Sequence, residues 1–149
     1  MAGTTKAKTG GPGKKAAKSP AVRPKTAYAR SHRLSGTRLE FLLNAEDDAL
    51  RERASTASSR RAARTLVKEG RLRATLVALK RGAAQRQHHV DGPVSIQCLR
   101  GNVAITVGDN TSELTSGGLM VLDAKVAHSA KALRDSSILI TMSIARGRS

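Results

Sequence analysis

Apolar and polar residues alternate with period two over residues 65–69, 72–80, 94–99, 103–107, 119–122 and 137–144, in a vocabulary of Val, Ile, Leu and Thr. That is the pattern of half-buried strands. Shorter strands are expected over 112–114 and 128–133. Turn signals separate them at Glu69-Gly70, Arg100-Gly101-Asn102, Gly108-Asp109-Asn110 and Ser116-Gly117-Gly118. In 72–79, Leu72, Ala74, Leu76 and Ala78 share one face while Val77 and Leu79 use the other. Leu76, Val94, Ile96, Leu99, Val103 and Ile105 are expected in the core, as are Val107, Leu119, Val121, Ile138 and Ile140. Ahead of the strands, Asn44 is placed as the N-cap of a helix over 45–61. Its first turn carries Glu46, Asp47 and Asp48, which suits the helix dipole. The thin, Ala-rich apolar face of that helix suits a surface position. Many short strands at regular spacing predict an all-β sandwich or barrel behind a short N-terminal helix.

Charge changes the picture at the N-terminus. The chain has 149 residues and a formal charge of +16, from 27 Lys and Arg against 11 Asp and Glu. Residues 1–36 hold nine of the cations and no acid. Built from Lys, Ala, Gly, Pro, Ser and Thr, this stretch has too little apolar surface to offset the entropy of ordering it, so disorder is expected. The predicted organisation is a disordered basic tail over 1–36, a linker and surface helix over 37–63, and a β-barrel domain over 64–149. Lys6, Lys8, Lys14, Lys15, Lys18, Arg23 and Lys25 suit nonspecific contact with nucleic-acid phosphates. An acid-poor transit peptide and a solubilising extension are the alternatives, although Gly and Pro suit an amphipathic targeting helix poorly.

Several chemistries are excluded or disfavoured. The single Cys98 rules out an internal disulfide, and no Cys-x-x-Cys pair is present to hold zinc. Cys98 alternates with Val94 and Ile96 and is read as a small interior hydrophobe. The run Gly10-Gly11-Pro12-Gly13-Lys14-Lys15 lacks the strand and spacing of a phosphate loop. No apolar run approaches the roughly 20 residues needed to cross a bilayer, and no signal-peptide h-region is evident. No membrane partner and a cytoplasmic location are therefore expected. The two aromatic residues, Tyr28 and Phe41, precede the strands, which disfavours stacking of bases or sugars within the later domain.

Two histidine segments remain: Gly82 to Pro93, containing Gln87, His88 and His89, and Gly117 to His128. With a strand closing on Leu99-Arg100-Gly101 and a second hairpin between them, they resemble the cupin superfamily, specifically small single-domain cupins of the RmlC-like type. The resemblance covers residues 63–142. It implies a cupin-like β-barrel, or double-sheet jelly roll, in which a His-x-His, a Glu and a further His surround one metal ion. Aligned on Gly101, the first two histidines fall on Gln87 and His89, the glutamate on Pro93 and the last histidine on His128. The usual Pro-x-Gly of the second motif becomes Asp123-Ala124-Lys125.

Metal candidates on this resemblance are therefore His89 and His128 with His88 or Gln87, holding one divalent ion (iron, manganese, nickel or zinc) or none. Adjacent strand residues face opposite ways, so His88 and His89 cannot both point inward on a regular strand, whereas Gln87 and His89 can. A bulge before Val90 would admit His88 instead. A glutamine carbonyl is a weak transition-metal ligand, and Asp91 and Asp123 read as turn residues. This degenerate ligand set favours a non-enzymatic protein whose small pocket binds an unknown small molecule or a residual metal ion. The alternatives are a metal-dependent cupin enzyme, dioxygenase- or isomerase-like, using His89 and His128, and a protein attached to nucleic acid by its tail. The resemblance also implies a homodimer through edge strands over 65–79.

Overall fold

The computed structural model describes residues 33–144, so the tail lysines and Arg23 lie outside the described residues. Among the described residues, one helix, α1 (Leu43–Thr56), precedes nine strands. These are β1 (Arg61–Glu69), β2 (Leu72–Leu79), β3 (Ala84–His88), β4 (Val94–Arg100), β5 (Asn102–Val107), β6 (Asn110–Thr115), β7 (Leu119–Leu122), β8 (His128–Ala132) and β9 (Ser136–Ser143). They form two antiparallel sheets, ordered β1-β2-β9-β4-β7 and β3-β8-β5-β6. The all-β expectation holds, and most of the expected strands recur within a residue or two of their ends.

The helix differs from expectation in both its ends and its role. Leu42, not Asn44, is its N-cap: the Leu42 carbonyl accepts from the N–H groups of Ala45 and Glu46, and no side chain caps the end. At the other end, helical geometry stops at Thr56, and Arg60 turns the chain into β1 with a φ of 58°. Arg61, expected as the last residue of the helix, instead opens strand β1, which also carries Arg64. Glu46 and Asp47 do not face solvent but point at the sheet. Glu46 pairs with Arg64 at 3.1 Å, and Asp47 with Arg100 at 3.3 Å while also accepting from the Ser137 hydroxyl.

Two cores result, one on each side of the five-stranded sheet. Between the sheets lie Val77, Leu79, Ile96, Val103, Ile105 and Ile138 among others. Behind the first sheet, Leu50 and Ala54 of α1 pack on Leu66, Leu76 and Ala78. The two faces read from β2 therefore serve two different cores. Full burial of each leucine contributes about 1.5–3 kcal/mol, so α1 is an integral part of the domain.

Two expected core residues are misplaced. Leu119 is 58 % and Val121 67 % exposed. The β4–β7 register sets Met120 against Ile96 and Leu122 against Val94, and these are the β7 side chains that face the inter-sheet core. A four-residue strand with apolar residues at every position carries no alternation from which to choose a face.

Candidate functional site

The site lies where the two sheets end, β1 on one side and β3 on the other. Across the β1–β2 ladder Arg61 faces Leu79 and Ala63 faces Val77. Both partners belong to the inter-sheet core, so Arg61 and Ala63 lie on the inner face of their sheet. They are nevertheless exposed, so the interior opens to solvent along this seam. A cavity of about 400 Å³ occupies it. Its apolar wall is Val77, Ile140 and Met142, and its polar lining includes Ser59, Arg61, Gln85 and His88.

His88 reaches this position through a strand irregularity. Ala84 pairs with Lys131 and Gln85 with Ala130, but the next pair is His88 with His128. Three steps along β3 thus match two along β8, and the extra residue reverses the side-chain phase. The bulge selects His88 in place of Gln87 and His89, both of which are exposed. The rings of His88 and His128 meet with centroids 4.4 Å apart and planes tilted by 56°. His128 is buried, at 4 % exposure, and His88 half-buried. The Nδ1 of His88 lies 3.1 Å from the Arg86 carbonyl and that of His128 3.0 Å from the Val126 carbonyl. A carbonyl only accepts, so each Nδ1 donates and a neutral ring keeps its lone pair on Nε2.

The structure therefore joins His88 and His128 and leaves Gln87 and His89 outside the pair. Two imidazoles are short of the three protein donors that hold a catalytic ion. Among the described residues no group of three His, Cys, Asp or Glu side chains gathers where a metal could sit. Pro93 offers no donor, Asp91 is exposed, and Asp123 accepts from the Ala124 N–H at 2.7 Å within its own turn. These residues do not fit a resident three-ligand ion. Cys98 is fully buried, and burial pushes its thiol pKa up, against a smaller opposing effect of its contact with the Arg100 carbonyl. It is held as an unreactive core residue.

Sequence reasoning missed Arg61, Gln85 and Met142. The signal for Arg61 was its two-residue spacing from Ala63 and Thr65, obscured by assigning 57–61 to the helix. For β3 there was almost none: Ala84-Gln-Arg-Gln-His88 has no apolar alternation.

No protein-family model matches the sequence, and no curated protein matches it. Solved structures do. A conserved protein of unknown function from Streptococcus pyogenes is 19 % identical with a TM-score of 0.59, covering 80 % of this chain and 99 % of that one. A cupin superfamily protein from Desulfitobacterium hafniense is 16 % identical with a TM-score of 0.61, over 78 % and 99 % of the respective chains. A salicylate 1,2-dioxygenase variant from Pseudoaminobacter salicylatoxidans is 19 % identical with a TM-score of 0.64, over 83 % of this chain and 39 % of its own. At these identities the likeness is one of fold. The chain has the cupin fold, a double-sheet jelly roll of single-domain size.

Proposed function

We propose that this cupin domain binds a small organic molecule in the seam between β1 and β3 and performs no chemical step on it. The observation that carries the reading is the 400 Å³ cavity, with an apolar wall and a few polar groups converging on it. That combination is typical of ligand sites, and the volume lies within the usual range of about 300–1,000 Å³. The incomplete donor set beside it supports binding over metal-dependent catalysis.

Two measurements on the full chain test this. Elemental analysis after supply of iron, manganese, nickel and zinc is expected to find well below one ion per chain. Near-stoichiometric metal, lost in both His88→Ala and His128→Ala, would overturn the metal-free reading and favour the metal-dependent alternative. Thermal melting against a panel of small organic molecules is expected to find binders that raise the melting temperature. A ligand at about 100 times its dissociation constant adds about 2.7 kcal/mol. Ala63→Phe, which puts bulk into the cavity from an exposed position, removes the shift.

A second reading rests on the charge of the N-terminal segment, nine cations without an acid over residues 1–36. We propose that this segment contacts nucleic acid nonspecifically through phosphates. Gel shifts of duplex DNA are expected to weaken steeply between about 50 and 200 mM salt. They are expected to vanish when residues 1–32 are removed, a cut that spares the hydrogen bond from the Lys68 N–H to the Leu34 carbonyl. Unchanged binding after that deletion would end the idea.

A further inference from the structure

The chemistry around the seam narrows the kind of ligand it takes. A second surface cavity of about 430 Å³ runs along the outside of β3. It shares Ser59, Arg61, Gln85 and His88 with the first and adds Arg86 and Gln87. The two cavities adjoin at these shared residues, the first backed by the apolar Val77, Ile140 and Met142 and the second lined mostly by polar side chains. Among the described residues, two guanidinium groups and an imidazole line these cavities, and no carboxylate does. Elsewhere on the domain some cations meet acids, Arg51 with Asp48, Arg64 with Glu46, Lys80 with Asp135 and Arg100 with Asp47, while others, such as Arg53, Arg71 and Arg134, form no ion pair among the described residues. Among the described residues neither Arg61 nor Arg86 forms an ion pair. A guanidinium beside an apolar wall, with no protein anion to neutralise it, suits a ligand that brings its own negative charge.

We infer that the seam takes a small amphiphilic anion, a carboxylate or phosphate head on an apolar body. The head sits at Arg61, with Arg86 and His88 lining the adjoining cavity, and the body lies against Val77, Ile140 and Met142. This rests on the small-molecule reading above and specifies its ligand class. The apolar wall supplies affinity through burial, while the unpaired arginines discriminate by charge.

Calorimetric titration of the full chain with probes of equal chain length tests the charge requirement: octanoate, octyl phosphate, octan-1-ol and octylamine. Octanoate or octyl phosphate is expected to bind at least about tenfold more tightly than the alcohol and the amine, the loss usual for a charge-assisted hydrogen bond. Which of the two anions binds more tightly identifies the head group. Acetate and inorganic phosphate, heads without a body, are expected to bind more weakly than their octyl counterparts. Arg61→Gln lies on an exposed side chain and is expected to lower anion affinity about tenfold at unchanged thermal stability. Ala63→Phe is expected to abolish binding. Both variants keep the basic N-terminal segment and the domain's other cations, so anion binding unchanged in both would place the anions outside the seam and overturn the inference. Octanol or octylamine binding as tightly as the anions would overturn it too, while leaving the small-molecule reading in place. If inorganic phosphate and acetate match the octyl anions, the apolar half falls. If no probe of any charge binds, the inference and the small-molecule reading fall together.

Discussion

Lys125 occupies the left-handed backbone region at a φ of 64°, in the turn that aligns with the glycine of the cupin motif the sequence resembles. Its N–H donates to the Val90 carbonyl at 2.7 Å, which ties this turn to the first histidine segment just after His89. An L-residue pays about 1–2 kcal/mol in that region, and glycine returns about 0.4–1 kcal/mol of that through its freer unfolded chain. Lys125→Gly, at an exposed position, is therefore expected to stabilise the domain by about 0.5 kcal/mol and raise the melting temperature by a few degrees. A lower melting temperature would refute the assignment of strain. This residue was legible in the sequence because a motif position fixed its backbone. The choice between His88 and His89 was not legible in the same way. Period two decides which side chain points inward, and a single extra residue in β3 reverses the outcome without leaving any mark in composition.

The elements show a similar division. Strands with sustained alternation, such as β2 and β5, were readable, and so was the split of β2 between two faces. Helix α1 was readable as a helix but not in its orientation. Consecutive acids in a first turn ordinarily face water, and only the tertiary structure supplies Arg64 and Arg100 opposite them. Glu46 has no exposed surface, so its guanidinium partner matters to stability. Arg64→Met is expected to cost about 3–5 kcal/mol in chemical denaturation, the usual price of stripping one member from a buried pair. The double variant Glu46→Leu with Arg64→Met removes the uncompensated charge and is expected to recover most of that loss. No recovery in the double variant would show that the pair orients α1 rather than merely neutralising buried charge.

For the molecule as a whole, the fold class followed from spacing and turns, since many short strands admit few closed arrangements. The seam did not follow. It depends on which strands end the two sheets, a property of pairing order that no local pattern encodes. Strand β1 is central to it because both of its faces are in use. Arg61 and Ala63 line the cavity, while Ala62, Arg64 and Leu66 lie beneath α1. Occupancy by the proposed ligand and helix docking would thus share a wall and form linked equilibria. Whatever holds β1 in place from one side lowers the cost of holding it from the other. On the proposed binding, loosening α1 on the back of the sheet is therefore expected to weaken binding in the cavity on its front, through Ala62 which borders both, and a bound ligand to slow the helix's local unfolding in return.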